Sequence, residues 1–425
     1  MRLLFLSMHY APEPCDTRTS TLARDMAALG HQCTALTSFP NYPFGRTYDG
    51  WRQSVWKVTQ EEGVRLVRVP MLPDHSRNAK RRALSYLSFM ASAGTLGNLK
   101  VSRADVLWIH HPPLSTAIAG RFLAMSRRMP YVLEIHDVWP DTLVSTGMVQ
   151  EGRVTAAIGT VCRKLYRNAS AIVVTSEGMR RRVVGNGAPS EKVIVLPQWA
   201  DETIYEPATP DPEFAARHGL SNAFNVVFAG NLGAAQGLHT VLDAAKLLTD
   251  LHHVRLVLVG DGMDAPLLRA RVDREAISNV RFLGHHAAQQ MPQFYAWASA
   301  LLIHLKADPL FADTIPSKTQ VYLASGKPIL CGVNGDAGCI VRESGAGVVF
   351  EPENPEAMAH AIRRLATAPP EVLQEMACRA REAYVRKFSR KATLEKYEQL
   401  FQWVSQPERA RARQDLASIG TQVVP

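Results

Sequence analysis

The sequence predicts an α/β protein of two tandem doubly wound, Rossmann-like domains with an interdomain cleft, and three observations predict it. Apolar runs bounded by turn residues alternate with helical-period segments from the first residue onward. The runs are continuous rather than alternating, as a parallel sheet covered on both faces requires. The alternation halts at the Pro-rich, acidic segment 201–219 and then restarts.

Taken in order, strands are expected at 2–8, 32–38, 64–69, 106–111, 131–137, 171–176 and 193–198, with helices at 17–29, 79–97, 113–128, 153–167 and 177–185. After the break, strands are expected at 225–230, 255–260, 280–284, 300–305, 328–333 and 347–352, with helices at 237–248, 264–275, 289–297, 317–325 and 354–367. The domains read as 1–205 and 223–385, joined by a linker over 206–222. A C-terminal helix over 386–405 could return to the N-terminal domain, and 406–425 reads as a tail. Ligands of such sheets bind beyond the carboxyl ends of the strands, which makes the cleft the expected site.

The chain has 425 residues, 46% hydrophobic and 20% charged, an ordinary globular composition of two-domain length. The opening MRLLFLSMHYAPEP is apolar only as far as Met8, which suits a buried first strand better than a signal peptide. The six cysteines (15, 33, 162, 331, 339 and 378) form no Cys-x-x-Cys pair and read as reduced thiols of a cytoplasmic protein. Residues 1–205 hold 25 Lys and Arg against 16 Asp and Glu, whereas 206–425 hold 23 of each, so the net +9 sits entirely in the first half. A basic half fits an anionic partner such as phospholipid head groups or a pyrophosphate; the bland alternative is a solvated surface. No aromatic interleaving or known module supports nucleic acid. The uncharged stretch 83–99 is flanked by Arg77, Lys80, Arg81, Arg82, Lys100 and Arg103. It is short of the ~20 apolar residues that span a bilayer. A helix lying peripherally on the membrane's inner face fits it, as does a core helix with a charged rim.

Candidate chemistry gathers at strand ends. In NVVFAGNLGAAQGLHTVL a strand ends at Gly230, a loop carries Asn231, Gly233, Gln236 and Gly237, and a helix follows. Glycines let backbone N–H groups approach a phosphate, and a helix N-terminus favours anions; such turns also serve only to pack a helix on a sheet. Gly260 and Gly262 end a second strand, and Lys306 leaves a third. Ser317 and Lys318 open a helix after Pro316, where lysines suit a diphosphate. In the first half, YVLEIHD ends in His136 and Asp137, and the opening loop offers Asp16, Thr17, Arg18 and Thr19 at a helix start.

The order of motifs resembles glycosyltransferase family 4, of the GT-B fold. The resemblance rests on the Pro-containing first loop, LARDMAALGH, HDVWPDT, FAGNLGAAQGL, VGDG, RFLG and IPSKTQVYLASGKPIL, and spans nearly the whole chain. HDVWPDT and IPSKTQVYLASGKPIL are most similar to the branch of N-acetyl-L-fucosamine transferases of bacterial surface-polysaccharide pathways. The resemblance implies a retaining, metal-independent hexosyltransferase without cofactor, taking a nucleotide sugar (UDP-sugar favoured) and a lipid-linked saccharide acceptor. It assigns catalysis to His136, Asp137 and Lys306, and the diphosphate to Gly230, Asn231, Gly233, Gln236, Gly237, Lys306, Ser317 and Lys318. Gly260, Gly262, Phe282, Asp313 and Gln320 are assigned to the nucleoside, and Asp16 to Thr19 to the acceptor side. No Asp-x-Asp pair for a divalent cation is present.

The chain departs from the family in three ways. Many members carry Arg and Lys where this chain has Asn231 and Gln236, the first loop lacks a Gly-Gly pair, and Asp313 and Val321 replace two spaced glutamates. Two alternatives follow: a degenerate, non-catalytic partner subunit, or a nucleotide-sugar epimerase of the same fold.

Overall fold

The computed structural model describes residues 1–14, 17–76, 78–145, 148–407, 416 and 419. The chain divides into two compact units: one is built from 1–196 and the stretch returning at Leu394, the other from Pro197–Thr393. Asp16 and Arg77 lie outside the described residues, as does most of the segment 406–425.

The first unit holds an eight-stranded sheet. Its strands are β1 (Arg2–Leu6), β2 (Gln32–Ser38), β3 (Lys57–Glu61), β4 (Val64–Val69), β5 (Val106–His111), β6 (Tyr131–Ile135), β7 (Ala171–Val174) and β8 (Val193–Val195). The order is β3-β4-β2-β1-β5-β6-β7-β8, parallel except for antiparallel β3 at the edge. Strand β1 is central, with Leu4 opposite Thr34 of β2 and Leu107 of β5. Helices α1 (Thr17–Ala28), α2 (Ala79–Ser92, continued by a π turn Ala93–Gly97), α3 (Leu114–Arg127) and α4 (Arg153–Asn168) connect these strands. Phe89 of α2, Leu123 of α3 and Leu165 of α4 pack on Leu6, Leu36, Ile109 and Leu133 in one core.

The other face of the sheet is closed by the returning C-terminal helix, Arg390–Ser405. Phe5 of β1 meets Phe401 edge-on at 6.2 Å and Trp108 at 5.7 Å, and Tyr397, Leu400, Phe401 and Val404 are fully buried. Each large apolar side chain so covered contributes about 1.5–3 kcal/mol, so this helix is part of the unit's core.

The second unit holds a six-stranded parallel sheet: β9 (Phe224–Ala229), β10 (Val254–Val259), β11 (Val280–Gly284), β12 (Ala300–His304), β13 (Ile329–Gly332) and β14 (Gly347–Val349), ordered β11-β10-β9-β12-β13-β14. Its two faces carry separate cores. Leu238, Leu242, Leu268 and Ile362 pack on one, and Tyr322, Leu323, Ala380 and Tyr384 on the other. The segment expected as a linker, 206–222, instead contains a helix, Pro212–His218. Asp211 caps its start, Gly219 (φ 63°) ends it, and Phe214 packs edge-on against Phe294 at 4.8 Å. Acidic, Pro-rich composition there reflects a cap and a Pro at the first helical turn, both ordinary helix-start chemistry.

In each sheet the first strand of the unit lies inside and the chain winds away from it in both directions. Ligands of open α/β sheets bind at this reversal, beyond the strands' carboxyl ends. In the first unit the reversal falls between β1 and β5, and in the second between β9 and β12.

Candidate functional site

The reversal in the second unit brings together the loop after β9 and the end of β12. Gly230 (φ 138°) turns the chain out of β9. Gly237 (φ 58°) ends a 3₁₀ turn over Ala234–Gln236 and starts the helix Leu238–Lys246. Two neighbours hold this loop. The Lys306 backbone N–H donates to the Ala235 carbonyl at 3.0 Å. The fully buried His304 places Nδ1 2.7 Å from the Gln236 carbonyl and Nε2 3.2 Å from the Glu353 N–H. A carbonyl only accepts and an N–H only donates, so the ring is neutral with its proton on Nδ1. Burial accordingly lowers its pKa. His304 was not singled out in the sequence; its strand-end position beside Lys306 was the available signal.

Lys318, second residue of the helix Ser317–Ala324, reaches back beneath the same loop. Its Nζ lies 2.7 Å from Gln236 Oε1 and 3.8 Å from the Phe228 ring centre, and a Cβ on Gly230 would sit 3.4 Å from it. Burial pushes this ammonium down to about 7. Lys306 is exposed at the loop's rim, its Cγ 3.5 Å from where a Gly237 Cβ would stand. Gly230, Asn231, Gly233, Gln236, Gly237, Lys306 and Lys318 therefore form one constellation. Ser317 stands exposed at the first turn of the Lys318 helix. The arrangement can hold an anion, with one cation at the rim, one beneath, and backbone amides of the loop available.

The residues expected around a nucleoside are distributed differently. Gly260 and Gly262 brace the loop from behind: a Cβ on Gly260 (φ 135°) would fall 1.9 Å from the Gly230 carbonyl oxygen, and one on Gly262 2.5 Å from that of Leu232. Phe282 packs half-buried against the core beneath Arg269, whose guanidinium lies 4.6 Å from the ring centre. Asp313 closes the short helix Pro309–Ala312. Gln320, expected at the nucleoside, is 2% exposed and its amide nitrogen donates to the carbonyls of Pro316 (3.0 Å) and Ser317 (3.1 Å), so it is spent on its own helix. Polar residue type alone could not tell an outward from an inward turn of the helix.

In the first unit, strand ends deliver a group of imidazoles. His136, just past β6, meets His110 of β5 edge-on at 4.6 Å, and Ser7, just past β1, lies 3.3 Å from His110 Nδ1. His9, Tyr42 and His75 meet edge-on or tilted, with ring centres 4.9–5.9 Å apart. Burial, then neighbouring His136, keeps His110 well below its usual range. Beneath His136 lies Glu134, fully buried in β6. It accepts from His136 Nε2 (2.9 Å), Arg18 Nε (3.1 Å), Trp108 Nε1 (2.9 Å) and the Tyr397 hydroxyl (2.6 Å). Burial alone would raise its pKa; the Arg18 charge and the hydrogen bonds from His136 and Tyr397 outweigh it and hold the carboxyl well below the usual range.

Arg18 also donates to Tyr397 at 2.6 Å, so this member of the first-loop group faces inward to the network. Thr19 is fully buried in α1, Thr17 opens that helix, and Asp137 is exposed next to His136. The first loop itself is tied by Glu13, which accepts from the backbone N–H groups of Tyr10 (3.2 Å), Asn41 (2.7 Å) and Tyr42 (2.8 Å). Glu13, Glu134, His110 and Tyr397 were not among the site residues expected from the sequence; a Glu inside an apolar strand was the one visible clue. Among the described residues, no group of three or more His, Cys, Asp or Glu side chains is placed to hold a metal ion.

Two doubly wound units in tandem are the architecture of the GT-B fold of glycosyltransferases. The Glycosyl transferase 4-like domain family matches residues 15–199, and the Glycosyl transferases group 1 family matches residues 223–368. The chain belongs to the family 4 glycosyltransferases. It is 25% identical over 382 residues to WcaI of Escherichia coli K12, whose name assigns it to colanic acid biosynthesis; 87% of this chain and 93% of that protein are covered. It is 22% identical over 267 residues to the glycosyltransferase WbjE of Pseudomonas aeruginosa, covering 62% of this chain and 66% of that one. Among solved structures, Anabaena HepE in complex with UDP superposes with a TM-score of 0.71 at 17% identity, covering 95% of this chain and all of that one. WaaG, a glycosyltransferase of lipopolysaccharide biosynthesis, superposes at 0.64 with 15% identity, covering 94% and 99%.

Proposed function

We propose that the chain transfers a sugar, with retention and without a metal, from a nucleotide diphosphate donor to a lipid-linked saccharide during assembly of a cell-surface polysaccharide. The convergence of Lys306 and Lys318 on the loop 230–237 carries this reading. The bond from the anomeric carbon to the diphosphate breaks, and the acceptor oxygen bonds to that carbon on the same face. The acceptor proton leaves with the nucleoside diphosphate. Lys306, Lys318 and the loop amides stabilise the charge that develops on the leaving group, the usual role of preorganised donors. The family resemblance assigns a catalytic role to His136, which Glu134 holds in place.

UDP as the nucleotide is supported by the nucleotide bound in HepE, and polysaccharide assembly by the names of WcaI and WaaG. An N-acetylated amino or deoxyamino hexose is the sugar implied by the resemblance of HDVWPDT and IPSKTQVYLASGKPIL to the N-acetyl-L-fucosamine transferase branch. A degenerate partner subunit would rest on Asn231, Gln236 and Val321; against it, Lys318 brings an amine to within 2.7 Å of the neutral Gln236 amide. The test is transfer from UDP-N-acetylhexosamines to an undecaprenyl-linked acceptor by wild type and Lys306→Ala. A loss of about a hundredfold or more in kcat/KM is expected. Equal turnover by the two proteins refutes the assignment, and product formed from donor alone points to an epimerase.

A further inference from the structure

The first unit turns an apolar face to solvent. On α2 the outward positions include Leu84 (55% exposed), Leu87 (51%) and Ala91; on α3 they are Ile118 (37%), Phe122 (51%) and Met125 (65%). Both sets follow helical spacing, so each helix carries an apolar stripe on the side a surface helix normally gives to charged residues. The stripes adjoin. A Cβ on Gly94 would lie 3.6 Å from the Phe122 ring, and Asn98 Oδ1 accepts from Arg127 Nε at 3.0 Å. A contiguous apolar patch of this kind marks an interaction surface.

Charge selects its partner. Residues 75–133 contain nine Lys and Arg and one acid, Asp105, which is paired with Arg2 at 2.8 Å. Lys80, Arg81 and Arg128 are exposed at the ends of the two helices, and Arg121 lies on α3 between Ile118 and Phe122. A second protein would need complementary acids around an apolar centre. A bilayer with anionic head groups supplies a negative plane above an apolar layer, matching both features at once. Among the described residues, no helix is long and apolar enough to cross a membrane. The contact therefore lies on the surface. Because α2 and α3 follow parallel strands, their N-terminal ends lie at the sheet edge that presents His110 and His136.

We propose that the paired outward faces of α2 and α3 insert into the surface of an anionic bilayer, with Leu84, Leu87, Phe122 and Met125 entering the head-group boundary and the flanking cations pairing with phosphates. The purpose assigned to this contact, meeting an acceptor anchored in the lipid, rests on the transferase reading; the contact itself does not.

The experiment is co-sedimentation of the full chain with phosphatidylcholine vesicles with and without phosphatidylglycerol, at low and high salt. Leu87→Glu/Phe122→Glu and Lys80→Glu/Arg81→Glu are compared with wild type. Both pairs replace exposed side chains, so unchanged thermal midpoints are expected and are checked first. Wild type should bind phosphatidylglycerol vesicles, and each double variant should bind at least about tenfold more weakly, because an apolar anchor or roughly 1 kcal/mol per cation is lost. UDP binding should be unchanged in both variants. Wild type left in the supernatant at low salt, or Leu87→Glu/Phe122→Glu binding as wild type does, overturns the proposal. Sedimentation showing that the apolar patch instead joins two copies, with dimers lost in the same variant, also overturns it. Failure of wild type to bind UDP while vesicle binding persists sinks the transferase reading and leaves this one standing.

Discussion

The two lysines assigned to the proposed anion site, Lys318 and Lys306, stand in different surroundings. Lys306 is exposed at the rim, whereas Lys318 is half-buried, and burial brings it down to about 7. A lysine depressed in the folded state binds fewer protons there than in the unfolded chain between about pH 7 and its ordinary value. Its destabilising effect is therefore full below pH 7 and fades as pH rises. Replacement by methionine should stabilise the ligand-free protein at pH 6 by about 1–3 kcal/mol, an effect that shrinks toward pH 10 in denaturant titrations. A bound diphosphate would favour the charged amine, so UDP affinity should fall as pH rises above 7. Calorimetry in buffers of different ionisation enthalpy should register proton uptake on binding.

Glu134 works by the opposite sign. Its pKa is held low, so its contribution is present above the ordinary carboxyl range and lost only in strong acid. Tyr397→Phe keeps the ring over Arg18 but removes the hydroxyl between Arg18 and Glu134. A cost of about 1–3 kcal/mol in unfolding free energy is expected, and a cost near zero would remove the network from the account.

At the scale of elements, the loop 230–237 keeps its shape because a neighbouring turn leaves no room for another. Gly260→Ala places a Cβ 1.9 Å from the Gly230 oxygen at a φ of 135°. It should cost about 2–4 kcal/mol in chemical denaturation and abolish the thermal shift given by UDP. The continuous apolar strands β1, β2, β4 to β7 and β9 to β13 were legible because a sheet buried on both faces writes one uninterrupted run per strand. Edge strand β3, Lys-Val-Thr-Gln-Glu, was not, since an exposed antiparallel edge needs no such run. The helices Pro212–His218 and Asp336–Ser344 also escaped notice, both being short and lodged in segments rich in turn residues. Within the site, residues whose role is backbone freedom or charge at a strand end could be read directly: Gly230, Gly237, Lys306 and His136. Residues that act by contact across the fold could not, because Tyr397 and Glu134 are 263 positions apart and meet only after the C-terminal helix returns.

Over the whole molecule, each sheet is organised around its own reversal of strand order. The first unit gathers histidines there and completes its core with the last helix of the chain; the second gathers the glycine loop and two lysines. Truncation before Arg390 should leave Glu134 and Arg18 without Tyr397 and uncover Phe5 and Trp108, so the first unit should lose cooperative unfolding while the second retains it. The central claim is that the second unit grips a diphosphate, and the most direct test compares the affinities of UDP and uridine in wild type and in Lys306→Ala/Lys318→Met. The expected result is UDP binding tighter than uridine by about a hundredfold or more in wild type, a preference that largely disappears in the variant, since each charge-assisted contact contributes about 1.5–3 kcal/mol. Equal affinity for UDP and uridine in wild type, or an undiminished preference in the variant, would contradict it.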